Sequence, residues 1–189
     1  MRLALATLTL LSFPAFAEER PLIVPARDVD VTYRVGSPEA DGPPLAQRMR
    51  WLVAASKLRV DPPTPGLYMI VDYKAHRMAM VKEADHAVLD VAIPASMLPG
   101  AGGSFAGRGS DSVTGLACRN WETADTAGQA TTLCLTADGV MLRASQAGTP
   151  LLEAVAVAYA PQDPAAFIPP AGYRRVSPQL SPQSSPQSP

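Results

Sequence analysis

Cys118 and Cys134 are the only cysteines in a chain of 189 residues, and they flank a turn almost symmetrically. Their midpoint is residue 126, inside Ala124-Asp125-Thr126-Ala127-Gly128, a composition that favours a turn. Strand-like runs extend outward on both sides, Ala117–Thr123 and Gln129–Thr136. The expectation is a β-hairpin stapled by a cross-strand disulfide. Placing Cys118 directly opposite Cys134 sets Asn120 against Thr132, Trp121 against Thr131, Arg119 against Leu133 and Ala117 against Leu135. Trp121, Leu133 and Leu135 then share the face opposite the disulfide, which becomes a brace on the rear of the sheet. A closed loop of this length contributes about 3 kcal/mol in the chain-entropy account.

A disulfide implies an oxidising compartment, and the N-terminus reads the same way. Arg2 gives a short positive region, Leu3–Phe13 an apolar run of signal-peptide length, and Ala15-Phe16-Ala17 a small-residue cleavage site before Glu18. Residues 1–17 are therefore expected to be removed, leaving a periplasmic or secreted protein. The apolar run is too short for a membrane span, and no transmembrane anchor is expected after cleavage. Losing Arg2 takes the formal net charge from −1 to −2. That balance gives no electrostatic case for nucleic acid or for an anionic membrane surface.

The remainder reads as short strands broken by Gly, Pro and Asp. Asp28–Val35 alternates polar and apolar, as a strand with one buried face does. Arg48–Val53 and Lys57–Asp61 follow in the same period. Leu67–Tyr73 and His76–Glu83 form a second hairpin, in which Asp72 faces Arg77, Met69 faces Met80 and Val71 faces Met78. Its other face, with Tyr68, Ile70, Asp72, Arg77, Ala79 and Val81, is mixed, so the sheet is expected to be covered partly on both sides. Ala87–Ile93 fits either a strand or a short helix, and Phe105–Val113 a weak strand. Asp138-Gly139 marks a tight turn into Val140–Ser145, and Leu151–Tyr159 is another strand. About nine strands joined by tight turns give a mainly β fold, a curved antiparallel sheet with short helix or flap segments. One domain is expected over residues 28–176, after a lead-in over 18–27. From Ser177 the Ser-Pro-Gln repeat has no apolar face and reads as a disordered tail.

Candidate chemistry is sparse. His76-x-Met78-x-Met80 offers an imidazole and two thioethers of the kind that suit Cu(I), although methionine is more often a filler of apolar cores. His86 and Asp85, with Ser96, Ser104 or Ser110, lack the Gly-x-Ser-x-Gly elbow of a hydrolase. Gly100–Gly103 lacks the Lys-Ser/Thr of a phosphate loop. No enzyme activity and no cofactor are expected. What remains is an apolar surface. Met49, Trp51, Met69, Val71, Met78 and Met80, turned inward on a curled sheet, would line a cavity for a lipid or other hydrophobic ligand. The competing expectations are a filled core and an envelope protein that binds only another protein.

The order of these segments resembles the half-barrel superfamily of the periplasmic lipoprotein carriers LolA and LolB, and is closer to its uncharacterised exported members. The resemblance rests on Asp28–Val35, on Gly66–Asp72 with Arg77–Val81, and on Val113–Cys118 followed by Trp121. It rests also on Cys134–Val140 and on Asp163–Tyr173. It implies a curved antiparallel sheet with a flap, here Ala84–Gly103, over a concavity that accepts acyl chains. It also implies lipoprotein carriage as an alternative role. No arginine here matches the carriers' flap-closing one.

Overall fold

The structure is a computed structural model, and it describes residues 20–36, 45–95, 98–99, 103–124 and 128–177. The expected signal peptide and tail lie outside the described residues, apart from Ser177. Among the described residues twelve strands form one curved, unclosed sheet. They are β1 (Val29–Val35), β2 (Leu45–Leu52), β3 (Lys57–Asp61), β4 (Leu67–Asp72), β5 (Arg77–Lys82) and β6 (Ala87–Ala92). They continue as β7 (Ala106–Val113), β8 (Leu116–Ala124), β9 (Ala130–Leu135), β10 (Met141–Gln146), β11 (Thr149–Ala158) and β12 (Arg174–Val176).

Their order is β12-β6-β5-β4-β3-β2-β1-β11-β10-β9-β8-β7. Neighbours are antiparallel except β12, which runs parallel to β6. The expectation of a mainly β, curved antiparallel sheet holds, with twelve strands in place of about nine. The two ambiguous segments are both strands, β6 and β7, and β12 is an addition. β12 is only three residues long and pairs with a strand far back in the sequence, so no local pattern announces it. The candidate flap Ala84–Gly103 is not wholly separate from the sheet. Ala87–Ala92 pairs with β5 as a sheet strand.

The second hairpin forms as its alternation dictates. Met69 pairs with Met80, Val71 with Met78 and Asp72 with Arg77. The stapled hairpin does not have the expected register. Asn120, not Cys118, stands opposite Cys134, and Trp121 faces Leu133. The pairing is displaced by two residues because β8 runs through Ala124, which pairs with Ala130. The cysteines are diagonal and nevertheless bonded, with Cα atoms 5.4 Å apart. Strand twist brings one diagonal pair closer than a flat ladder would, and 5.4 Å is within the range a disulfide spans. Trp121 and Leu133 do lie on the face away from the sulfurs. The disulfide, however, is no exposed rear brace. Cys118 and Cys134 are buried in a core cluster with Val29, Val31, Tyr33, Val113, Val140, Leu142 and Ala154.

The burial follows from curvature. β7 and β11 are four places apart in the sheet, yet Cα atoms of the two come within 8 Å. Four spacings of a flat sheet would hold them roughly 19 Å apart. The β7 end therefore rolls over, and the roll is tied by charges. Arg34 donates to Glu153 (2.7 Å), and Arg143 to both Glu153 (3.0 Å) and Asp111 (2.8 Å).

The opposite end of the sheet is covered by the C-terminal segment. Asp163 caps the short 3-10 turn Pro164–Phe167 by accepting from the Ala165 amide. Phe167 is fully buried against Tyr68, Ile70, Ala79, Val81 and Val88. Burying a side chain of that size stabilises by about 1.5–3 kcal/mol. Arg59 and Lys57 donate to the carbonyls of Ala166 (2.9 Å) and Phe167 (3.4 Å), satisfying acceptors at the turn's end. One face of β3–β6 is thus closed by this segment, and the other face carries a continuous apolar surface.

Candidate functional site: the apolar face of the sheet

Period-2 alternation and five antiparallel registers assemble two continuous apolar rows on one face. One row runs Val31–Met49–Val60–Met69–Met80–Leu89, and the other Val29–Trp51–Leu58–Val71–Met78–Val91. All six residues expected to line a cavity, Met49, Trp51, Met69, Val71, Met78 and Met80, stand in these rows. Leu58, Val60 and Val71 are buried, and Met49, Trp51, Met69, Tyr73, Met78 and Ile93 pack half-buried around them. The methionines therefore form a packed floor.

Open space begins at the Trp51 end. The Trp51 and Tyr73 rings stack with centroids 5.6 Å apart and planes 10° apart. Around them lies a cleft of about 340 Å³ lined by Val24, Trp51, Val53, Ser56, Tyr73, Leu98 and Pro99, none of them charged. Burial raises the Tyr73 phenol above its usual value, since the phenolate would lose hydration there. Of the six expected residues, Trp51 is the one at the cleft. Val24, Val53, Leu98 and Pro99 complete it. Val53 ends the alternating run that carries Trp51, whereas sequence gives no signal for Val24, Leu98 and Pro99, which lie outside the runs that alternate as strands.

Val24 reaches the cleft because the lead-in is fastened to the Asp138-Gly139 turn. The Ala26 amide donates to the Asp138 carbonyl (2.8 Å), and Arg27 pairs with the Asp138 carboxylate (2.9 Å). Thr136 and Tyr159 donate to the same carboxylate at 2.6 and 3.0 Å. Gly139 has φ +87°, and a Cβ there would collide with the Val24 carbonyl. Only glycine suits both the turn and that approach. A second cavity, of about 400 Å³, lies where Arg20, Pro21 and Leu22 face Arg119, Trp121 and Leu135.

The histidines are not gathered with these residues. His76 is exposed at φ +52° in the turn before β5, outside the Met78–Met80 strand ladder. His86 lies beyond the other end of β5, edge-on to Tyr173 at 5.1 Å. Asp85 pairs with Lys82 (2.7 Å). Ser96 lies outside the described residues, and Ser110 stands on β7, paired with Arg119 of β8 at the far end of the sheet from His86. Among the described residues, no three His, Cys, Asp or Glu side chains are grouped so that they could hold a metal ion.

No family model and no curated protein matches the chain. The fold itself has been seen before. The crystal structure of an uncharacterized conserved protein from Thermus thermophilus superposes with a TM-score of 0.59 at 14% identity, covering 81% of this chain and 91% of that one. The crystal structure of MucB gives a TM-score of 0.49 at 13% identity, covering 79% of this chain and 59% of that one. At such identities the likeness to the Thermus protein is one of fold alone.

Proposed function

We propose that this chain is an exported protein of the cell envelope, related to the LolA/LolB half-barrels, that binds a lipid or other hydrophobic ligand on its apolar face. The observation that carries the reading is the uncharged cleft at Trp51 and Tyr73, opening onto two apolar rows that cross six strands. Its volume, about 340 Å³, is in the range of small-molecule sites, roughly 300–1,000 Å³. Methionine floors adapt to ligands of varied shape. The Cys118–Cys134 disulfide suits an oxidising compartment.

Native mass spectrometry of protein purified from periplasm tests the reading. A lipid-sized mass adduct that organic extraction removes is expected. An adduct-free protein that also leaves a fluorescent fatty-acid analogue unbound would overturn it.

A further inference from the structure

We propose that a groove on the face of the sheet opposite the methionines binds a small monocarboxylate with an apolar body, its carboxylate held by Arg77. The site is separate from the Trp51–Tyr73 cleft and does not depend on what binds there.

Two neighbouring rows build the groove. Lys57 stands opposite Asp72, and Asp72 opposite Arg77. In the next row Ile70 stands opposite Ala79, and Ala79 opposite Asp90. Alternation turns both rows to the face away from Met69, Val71 and Met78. The C-terminal segment covers that face only in part. Beside Phe167 and Pro169 it leaves a groove of about 200 Å³, which Arg175 of β12 also lines. Ile70, Ala79 and Phe167, all buried, give it apolar walls. Lys57, Arg77 and Arg175 set three positive charges around it, against Asp72 and Asp90.

Both acids are already engaged. Asp72 accepts from the Ala75 amide (2.8 Å) and pairs with Lys57 (3.5 Å), and Asp90 pairs with Arg175 (2.8 Å). Arg77 has no hydrogen bond or ion pair among the described residues, although it faces Asp72 across the ladder. Its other cross-strand neighbour, Ala92, carries no charge. The groove therefore holds one positive charge in surplus, at Arg77. That surplus selects the ligand. A planar carboxylate matches the guanidinium fork and accepts two parallel hydrogen bonds from it. Its single negative charge balances the groove. A phosphate monoester, with about 1.5–2 negative charges at neutral pH, would be repelled by Asp72 and Asp90. An apolar group on the carboxylate gains by lying against Ile70 and Phe167. The volume is below the roughly 300–1,000 Å³ of drug-sized sites, so a short acid such as phenylacetate fits and a long acyl chain does not.

Phenylacetate is the probe, titrated into the full chain with its disulfide intact and followed by NMR. Saturable shifts are expected at the Ile70 and Ala79 amides and none at the Trp51 indole. The neutral isostere phenylacetamide should bind roughly tenfold more weakly or less, since it loses the charge on its hydrogen bonds. Arg77→Gln should weaken phenylacetate by a similar factor. Arg77→Lys should weaken it less, because the charge stays while the fork is lost. Lys82→Gln, at the other end of β5, should leave binding unchanged. Equal binding of acid and amide overturns the proposal, and so does unaltered binding to a folded Arg77→Gln chain. Inorganic phosphate that displaces phenylacetate at equal concentration overturns the monocarboxylate class. Shifts centred on Trp51 and Tyr73 overturn the site and assign the acid to the apolar cleft. The lipid reading is tested by the fluorescent fatty-acid analogue, so either can fail while the other stands.

Discussion

Arg143 on β10 donates from its guanidinium to Asp111 on β7 at 2.8 Å, reaching across the two strands that the disulfide joins. The same guanidinium holds Glu153 on β11, which in turn accepts from Arg34 on β1. Four charges on four strands thus fasten the roll at one end of the sheet. These side chains are a quarter to two-fifths exposed, and such pairs are individually weak. Arg143→Ala is therefore expected to lower global stability only slightly. Its main effect should be local, with faster hydrogen exchange in β7 and little change in β4–β5. Uniform acceleration across the sheet would show that the network does not act as a local clasp.

The disulfide lies beside this clasp, inside the core. Exchanging Cys118 and Cys134 together for alanine removes a cross-link of sequence separation 16, and a loss of about 3 kcal/mol is expected from chain entropy. Because both residues are buried, reduction by dithiothreitol should be slow in the native protein and accelerate steeply near the unfolding midpoint. Fast reduction of the folded protein, followed by mass after thiol alkylation, would contradict that placement.

What is legible in the sequence is set by alternation. The Met69–Met80 and Val71–Met78 pairs can be read because Leu67, Met69 and Val71 and then Met78 and Met80 alternate on one face, and a turn over Tyr73-Lys74-Ala75-His76 sets the register that forms. Direct opposition of the cysteines misplaces the stapled hairpin by two residues, since it is only one of the geometries a twisted ladder offers a disulfide. Trp51 falls on the correct face, yet the cleft beside it needs Val24, Leu98 and Pro99, which arrive from segments without periodicity. β12 leaves no local trace at all. Its three residues are held by β6 and by the Arg175–Asp90 pair (2.8 Å), both far away in sequence.

Acid should destabilise the protein through three aspartates. Burial pushes Asp61 upward, but its bonds from Arg59 and Arg50 outweigh that and leave it below the ordinary carboxylate range. Asp138 is likewise raised by burial and lowered further by Thr136, Arg27 and Tyr159. The Ser112 amide, followed by Arg143, lowers Asp111. A carboxyl whose folded pKa is depressed contributes stability that is fully present above its unfolded value, about 3.9, and is lost as pH falls through the folded value. Thermal melts should therefore change little from these groups between pH 7 and 5 and then drop below about pH 4. Asp61→Asn should melt lower at neutral pH but show a shallower acid slope. At the other extreme, burial raises the Tyr33 phenol, so that alkaline unfolding should set in above the unfolded phenol value of about 10. An acid slope unchanged by Asp61→Asn would show that other groups set it.

The aromatic pair at the cleft gives the sharpest test of ligand binding. Trp51 and Tyr73 are stacked and half-buried, and a hydrophobic ligand entering the cleft would meet them. An aromatic contact of this type is worth about 0.5–1.5 kcal/mol beyond its buried area, and about 1.4 kcal/mol is a factor of ten in affinity. Trp51→Ala should therefore weaken binding of a fluorescent fatty-acid analogue by roughly tenfold or more, since the lost area adds to the ring contribution. Met69→Gln, deeper in the floor, should weaken it less, by placing an amide among apolar neighbours that offer it no partner. Lys82→Gln, exposed at the end of β5 away from the cleft, should leave affinity unchanged. Circular dichroism of each variant separates lost binding from lost fold. Equal affinities for Trp51→Ala and the parent chain, with both folded, would place the ligand elsewhere, and the cavity between Leu22 and Trp121 would be the next site to probe.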